Sequence, residues 1–119
     1  MARGWGDVGA VASLLAEFRD WWDKSEPTEE GIRDTVRRVV EDPQTEFLLA
    51  APAGADVAAG VCQIRYRLSV WTGADDCWLE DLYVRQHARG AGLGRALVRA
   101  VLERAGARVA REIGVPQSD

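Results

Sequence analysis

The chain has 119 residues, 15 of them Lys or Arg and 19 Asp or Glu, with a formal net charge of −4. This length builds one core and is too short for two, so residues 1–119 are expected to form a single domain. The acidic balance argues against nucleic acid as a partner. No run approaches the ~20 apolar residues of a membrane span, and the N-terminus lacks the basic-then-apolar order of a secretory signal, so a cytoplasmic protein with no membrane partner is expected.

Residues 8–24 read as a helix, because Val8, Val11, Leu14, Leu15, Phe18, Trp21 and Trp22 recur at helical spacing. Residues 1–7 offer at most a stub of strand before it. After Pro27, Thr28 is placed to cap a second helix over 28–41, with Glu29 and Glu30 near its positive end. Ile32, Val36, Val39 and Val40 share one face of that helix, and Asp42-Pro43 stops it.

Three strands follow. Phe47-Leu48-Leu49-Ala50 marks a strand over 46–51, and Val61, Ile64 and Tyr66 mark a longer one over 57–68. A turn around Thr72-Gly73-Ala74-Asp75 leads to a third strand over 77–84. The last helix, 92–112, has a wide apolar face of Leu93, Leu97, Val98, Ala100, Val101, Leu102 and Ala105, with its arginines read mostly as a solvated face from which Arg95 can reach a phosphate. The order is α-α-β-β-β-α. A hairpin centred on 72–75 sets Cys77 opposite a residue near 70 and Cys62 on the order of 20 Å away along the sheet. That is beyond disulfide reach, so both thiols are expected reduced. His87 is the only histidine; it has no metal-ligand spacing around it, and no metal is expected.

The most informative stretch joins the third strand to the last helix. Trp78-Leu79-Glu80-Asp81-Leu82-Tyr83-Val84 runs through Arg85-Gln86-His87-Ala88 into Arg89-Gly90-Ala91-Gly92-Leu93-Gly94-Arg95. Glycines at alternate positions let backbone N–H groups approach a ligand without Cβ atoms in the way. The helix start adds orphan donors and a positive dipole end, so the turn suits a phosphate. Arg85, Arg89 and Arg95 bracket it and can supply charge-assisted contacts. Arg95 stands where the third glycine of a dinucleotide fingerprint belongs, and no G-x-x-x-x-G-K-[ST] string occurs.

What remains is R-x-x-G-x-G, formed by Arg89, Gly92 and Gly94 directly after Leu-Glu-Asp-Leu-Tyr-Val. This resembles the pyrophosphate loop and preceding strand of the GCN5-related N-acetyltransferases (GNAT). Arg65-Tyr66-Arg67-Leu68-Ser69-Val70-Trp71-Thr72-Gly73 is similar to a strand end of their diamine- and polyamine-acetyltransferase-like members. The resemblance implies an α+β, three-layer, partial acyl-CoA N-acyltransferase fold, a truncated GNAT domain lacking the family's C-terminal β-α-β-β. It implies acetyl-CoA as cosubstrate, bound by Leu82, Tyr83, Val84, Arg89, Gly90, Ala91, Gly92, Leu93, Gly94 and Arg95, and a small cationic primary amine as acceptor.

Acetyl transfer needs a group to take the ammonium proton. The resemblance points to Glu80 as that base and as an amine-binding group. Apolar neighbours on its strand raise a carboxyl pKa, and strand alternation sets Glu80 and Asp81 on opposite faces. The competing reading has both pairing with Arg65 or Arg67 across the hairpin. Trp21 and Trp22 either wall an amine pocket, as the helical region before the sheet does in the family, or form core plus a partner surface. The tyrosine acid of the family belongs to the segment expected to be missing. An unpaired apolar strand edge is then expected, which invites a homodimer. The alternative to an enzyme is a non-catalytic coenzyme-binding or dimerising remnant.

Overall fold

The computed structural model describes residues 7–112, with side chains to Arg108. The expected strand stub before residue 7 and the chain after Glu112 lie outside the described residues. Helix α1 (Val8–Trp21) is followed by α2 (Glu29–Val39), then strands β1 (Thr45–Ala50), β2 (Gly60–Leu68) and β3 (Asp75–Val84). A short 3-10 turn (Gln86–Ala88) precedes α3 (Leu93–Glu112). The sheet is an antiparallel meander in the order β1-β2-β3.

The helices end where local chemistry ends them. Asp23 takes a left-handed φ of 57°, so α1 stops at Trp21 rather than at residue 24. Thr28 caps α2 as expected, its Oγ1 accepting the Gly31 N–H at 3.1 Å. Glu29 and Glu30 lie in the first turn of α2, and Arg37 and Arg38 in its last.

The sheet is the middle of three layers. On one face Val11, Leu14, Ile32 and Val36 pack over Phe47, Leu49 and Val61. On the other, Leu93, Leu97 and Val101 of α3 pack over Leu48, Cys62, Ile64 and Tyr66. Leu14, Leu48, Ile64 and Leu97 are essentially inaccessible, and truncating such a side chain to Ala costs about 2–5 kcal/mol. The apolar face of α3 is narrower than its composition implies. Leu93, Leu97 and Val101 are buried, whereas Leu102 is 68% exposed.

The far end of α3 is bound to the sheet by charge, which corrects the reading of Arg104 and Arg108 as solvated; Arg95 and Arg99 are exposed. Arg104 Nε donates to Glu46 Oε2 at 2.7 Å, and Arg108 Nε to Asp75 Oδ2 at 3.1 Å. Arg108 also lies 3.9 Å over the Tyr66 ring, and Tyr66 Oη donates to Glu46 at 2.9 Å.

The β2–β3 register places Leu68 opposite Asp75 and Cys77 opposite Tyr66, not near residue 70. Cys62 is thus four positions along β2, roughly 13 Å away, and both cysteines are free. Burial pushes the Cys62 thiol up to about 11. A register shift at Cys62/Gln63 sets Gln63 opposite Glu80 and Cys62 opposite Leu82. Asp81, with φ 49°, is the extra residue of a β-bulge.

Candidate active site

The bulge decides what the end of β3 presents. Simple alternation would give Glu80 and Leu82 one face and Asp81 and Tyr83 the other. Asp81 interrupts that count. Glu80 and Tyr83 lie opposite Gln63 and Val61, while Leu82 and Val84 lie opposite Cys62 and Gly60. Tyr83 consequently packs toward α1 and Val84 toward α3.

Beyond the bulge, the chain turns through Gln86–Ala88 into the glycine loop. Gly90 (φ 89°) and Gly92 (φ 81°) hold left-handed conformations that a side chain resists. The first bond of α3 runs from the Ala96 N–H to the Gly92 carbonyl at 3.0 Å. Gly92, Leu93, Gly94 and Arg95 therefore present N–H groups with no backbone acceptor among the described residues. A Cβ built on Gly94 meets nothing within 4 Å, so that side of the helix mouth is clear for a ligand.

These donors face a cleft of about 670 Å³ lined by Leu82, Tyr83, Val84, Arg89, Gly90, Gly92, Leu93, Gly94 and Arg95. Of the ten residues the sequence points to for the coenzyme, only Ala91 is not in this lining. Donors, positive charge and a helix N-terminus converge there, and an anionic group fits that chemistry.

The arginines divide. Arg85 turns from the cleft. Its Nε donates to Glu17 at 2.9 and 3.0 Å, its Nη1 to the Ala58 carbonyl at 3.3 Å, and its Nη2 lies 2.7 Å from Glu17 Oε2. It is therefore a clamp between α1 and β3 instead of a loop contact. Arg89 lies over the Trp21 ring at 5.0 Å and the Tyr83 ring at 6.0 Å, its Nε donating to the Val84 carbonyl at 2.9 Å. Arg95 is exposed on the cleft wall.

Trp21 and Trp22 are 60% and 62% exposed. Trp22 tilts against Phe18 (6.1 Å), and Phe18 stacks on Tyr83 (5.3 Å, 25°). Tyr83 Oη points to Glu17 at 3.4 Å. Burial raises the Tyr83 pKa, and the Glu17 charge and hydrogen bond raise it further. Glu17 carries this cluster although its isolated carboxylate on a helix gave no sequence signal. The contacts join residues 66 and 68 positions apart.

Glu80 is not in the cleft lining. Its Oε1 accepts from Arg65 Nε at 3.1 Å, both side chains about two-fifths exposed, which is the cross-hairpin pairing weighed above. The carboxyl that is raised is the neighbouring Asp81, by burial and then by the Glu80 charge. His87 is exposed on the connector. Among the described residues no His, Cys, Asp or Glu group is arranged to hold a metal.

The comparisons with known proteins agree with this architecture. The acetyltransferase (GNAT) family profile matches residues 11–116. The chain is 33% identical over 108 residues to thialysine N-epsilon-acetyltransferase of Sus scrofa, and 32% over 107 residues to that of Bos taurus. Each match covers 82% of this chain, and the chain spans 61% of the length of these curated relatives. The solved ribosomal-protein-alanine N-acetyltransferase of Brucella melitensis biovar Abortus 2308 shares the fold at a TM-score of 0.69 and 21% identity, over 87% of this chain and 67% of that one. The three-layer α+β domain, the profile match along residues 11–116 and the 33% identity to a curated acetyltransferase lead to one assignment: this protein belongs to the GNAT acetyltransferase family.

Proposed function

We propose that this chain acts as a single GNAT domain that transfers an acetyl group from acetyl-CoA to a primary amine, with a small cationic amine as acceptor. The observation that carries this reading is the convergence of four orphan N–H groups, two arginines and the bulged end of β3 on one cleft. The N–H groups of Gly92, Leu93, Gly94 and Arg95, with the Arg89 and Arg95 side chains, hold the diphosphate. The Leu82–Val84 backbone aligns the pantetheine arm. When bound, the coenzyme supplies an activated thioester acyl group.

In this reading Glu80 takes the proton from the acceptor ammonium. Arg65 holds Oε1 of that carboxylate, leaving Oε2 to receive the proton directly or through water. Asp81 is the second candidate base, favoured by its raised pKa and its place at the bulge. Acetylation of a primary-amine panel separates them. Glu80→Gln lowers turnover about a hundredfold or more with coenzyme affinity retained, and Asp81→Asn does not. The reverse pattern transfers the role to Asp81. Coenzyme binding with no turnover on any amine fits the non-catalytic alternative instead.

The reading includes a cytoplasmic homodimer. No helix among the described residues is long and apolar enough to cross a membrane. The outer edge of β3 has no strand partner among the described residues, and Trp78, Leu79 and Leu82 are exposed on that strand. A second copy pairing along that edge covers them. Sedimentation equilibrium of the full chain tests this, and a monomer at tens of micromolar removes the dimer.

A further inference from the structure

We propose that Trp21 and Tyr83 form a binding slot for the non-reacting cationic group of the acceptor, and that Arg89 fills this slot until the coenzyme diphosphate draws it away. The inference rests on the reading of the cleft as the coenzyme site.

One wall of the slot, Tyr83, is held independently of its occupant. Tyr83 is fixed by stacking on Phe18 and by its hydroxyl contact with Glu17. Trp21 ends α1, the helix that also carries Phe18 and Glu17. The Arg89 guanidinium lies at 5.0 Å from one ring and 6.0 Å from the other, within range of a cation–π contact. Its remaining tie is one hydrogen bond to the Val84 carbonyl, and no carboxylate among the described residues pairs with it.

Arg89 also lines the diphosphate cleft, one residue before Gly90. An exposed cation over aromatic rings is held more weakly than a guanidinium in charge-assisted contact with a diphosphate. Coenzyme in the cleft therefore wins the side chain. What remains is a pair of aromatic faces, a setting for an organic cation, while the Glu17 carboxylate near Tyr83 stays paired with Arg85. Arg85 cannot replace Arg89 there, because Glu17 and the Ala58 carbonyl hold it.

A cation bound to aromatic faces keeps its proton, and a protonated amine is not a nucleophile. The slot thus takes a second positive group while a different amine reacts, which makes the preferred acceptor a dication. Because one side chain serves both sites, coenzyme and acceptor each tighten the binding of the other by the same factor.

The test is calorimetric titration of the full chain with coenzyme A and with 1,4-diaminobutane, each alone and with the other saturating. The free thiol form is used so that no turnover occurs. In the parent protein, saturating coenzyme A tightens diaminobutane about tenfold, and butylamine, of the same length with one charge, binds the complex more weakly. In Arg89→Ala the tenfold factor collapses toward one, because free protein now binds diaminobutane as its complex does. Trp21→Ala weakens diaminobutane in both states and Trp21→Phe restores it. The proposal is overturned if coenzyme A binds but the factor is the same in the parent and Arg89→Ala. It is equally overturned if diaminobutane binds neither state or no better than butylamine. Failure of coenzyme A to bind the parent protein removes the coenzyme reading itself, and this inference with it.

Discussion

At one end of the sheet Arg108 lies 3.9 Å over the Tyr66 ring, and at the other Arg89 lies 6.0 Å over the Tyr83 ring. The pairings look alike, yet their surroundings differ. Arg108 is also bound to Asp75, the Pro43 carbonyl and Gln44, and the Asp75 side chain is only 6% exposed. Arg89 is exposed and bonded to a single carbonyl. The same residue types therefore fasten α3 to the sheet at the Tyr66 end and leave a replaceable contact at the cleft end. Carboxylates, more than ring geometry, make the difference.

The contrast can be broken by removing the fastened side first. Arg108→Ala removes the ion pair to the buried Asp75 together with the contacts to Tyr66, Pro43 and Gln44, and is expected to cost about 3 kcal/mol, read as a lowered urea midpoint with an unchanged slope. A loss below 1 kcal/mol would make the two ends equivalent. At the cleft end, Gly94→Phe directs a ring into open space beside the helix mouth. It is expected to weaken coenzyme A more than tenfold, about 1.4 kcal/mol, with the urea midpoint nearly unmoved. Arg89→Ala is expected to cost less than about 1 kcal/mol of stability, as befits an exposed cation–π contact.

Asp81→Asn gives the smallest effect and sharpens the role of the bulge. The Asp81 carboxyl lies above its ordinary value of 3.8, through burial and the Glu80 charge. The folded state thus takes up its proton more readily than the unfolded chain does. The resulting stability is present below pH 3.8 and lost as pH rises through the raised value. Asn removes the charge and tolerates the left-handed φ. The variant is expected to be up to about 0.5 kcal/mol more stable than the parent at pH 7, with no advantage below pH 3.8.

Features that depend on neighbours in sequence were legible from it. The Thr28 cap, the three strands and the glycine loop each involve a few consecutive residues, and nine of the ten expected coenzyme contacts line one cleft. Features that depend on distant partners were not. Arg104 and Arg108 read as solvated because Glu46 and Asp75 meet them only after the sheet forms. Arg85 read as a loop contact until α1 brought Glu17 beside it. The end of α1 and the break in β3 both turned on a left-handed aspartate, Asp23 and Asp81, which sequence pattern alone does not distinguish from an ordinary one.

Asp81 also sets the rule for any redesign of this strand. Parity counted from residue 75 fails past residue 80, because one position there has no counterpart across the ladder. A designer who wants to re-aim a side chain toward α1 must choose position 83 together with 80, and one working on the α3 face must choose 82 together with 84. Deleting residue 81 would leave those assignments intact and straighten the backbone between them, so a shortened strand would test the bend separately from every side chain it displays.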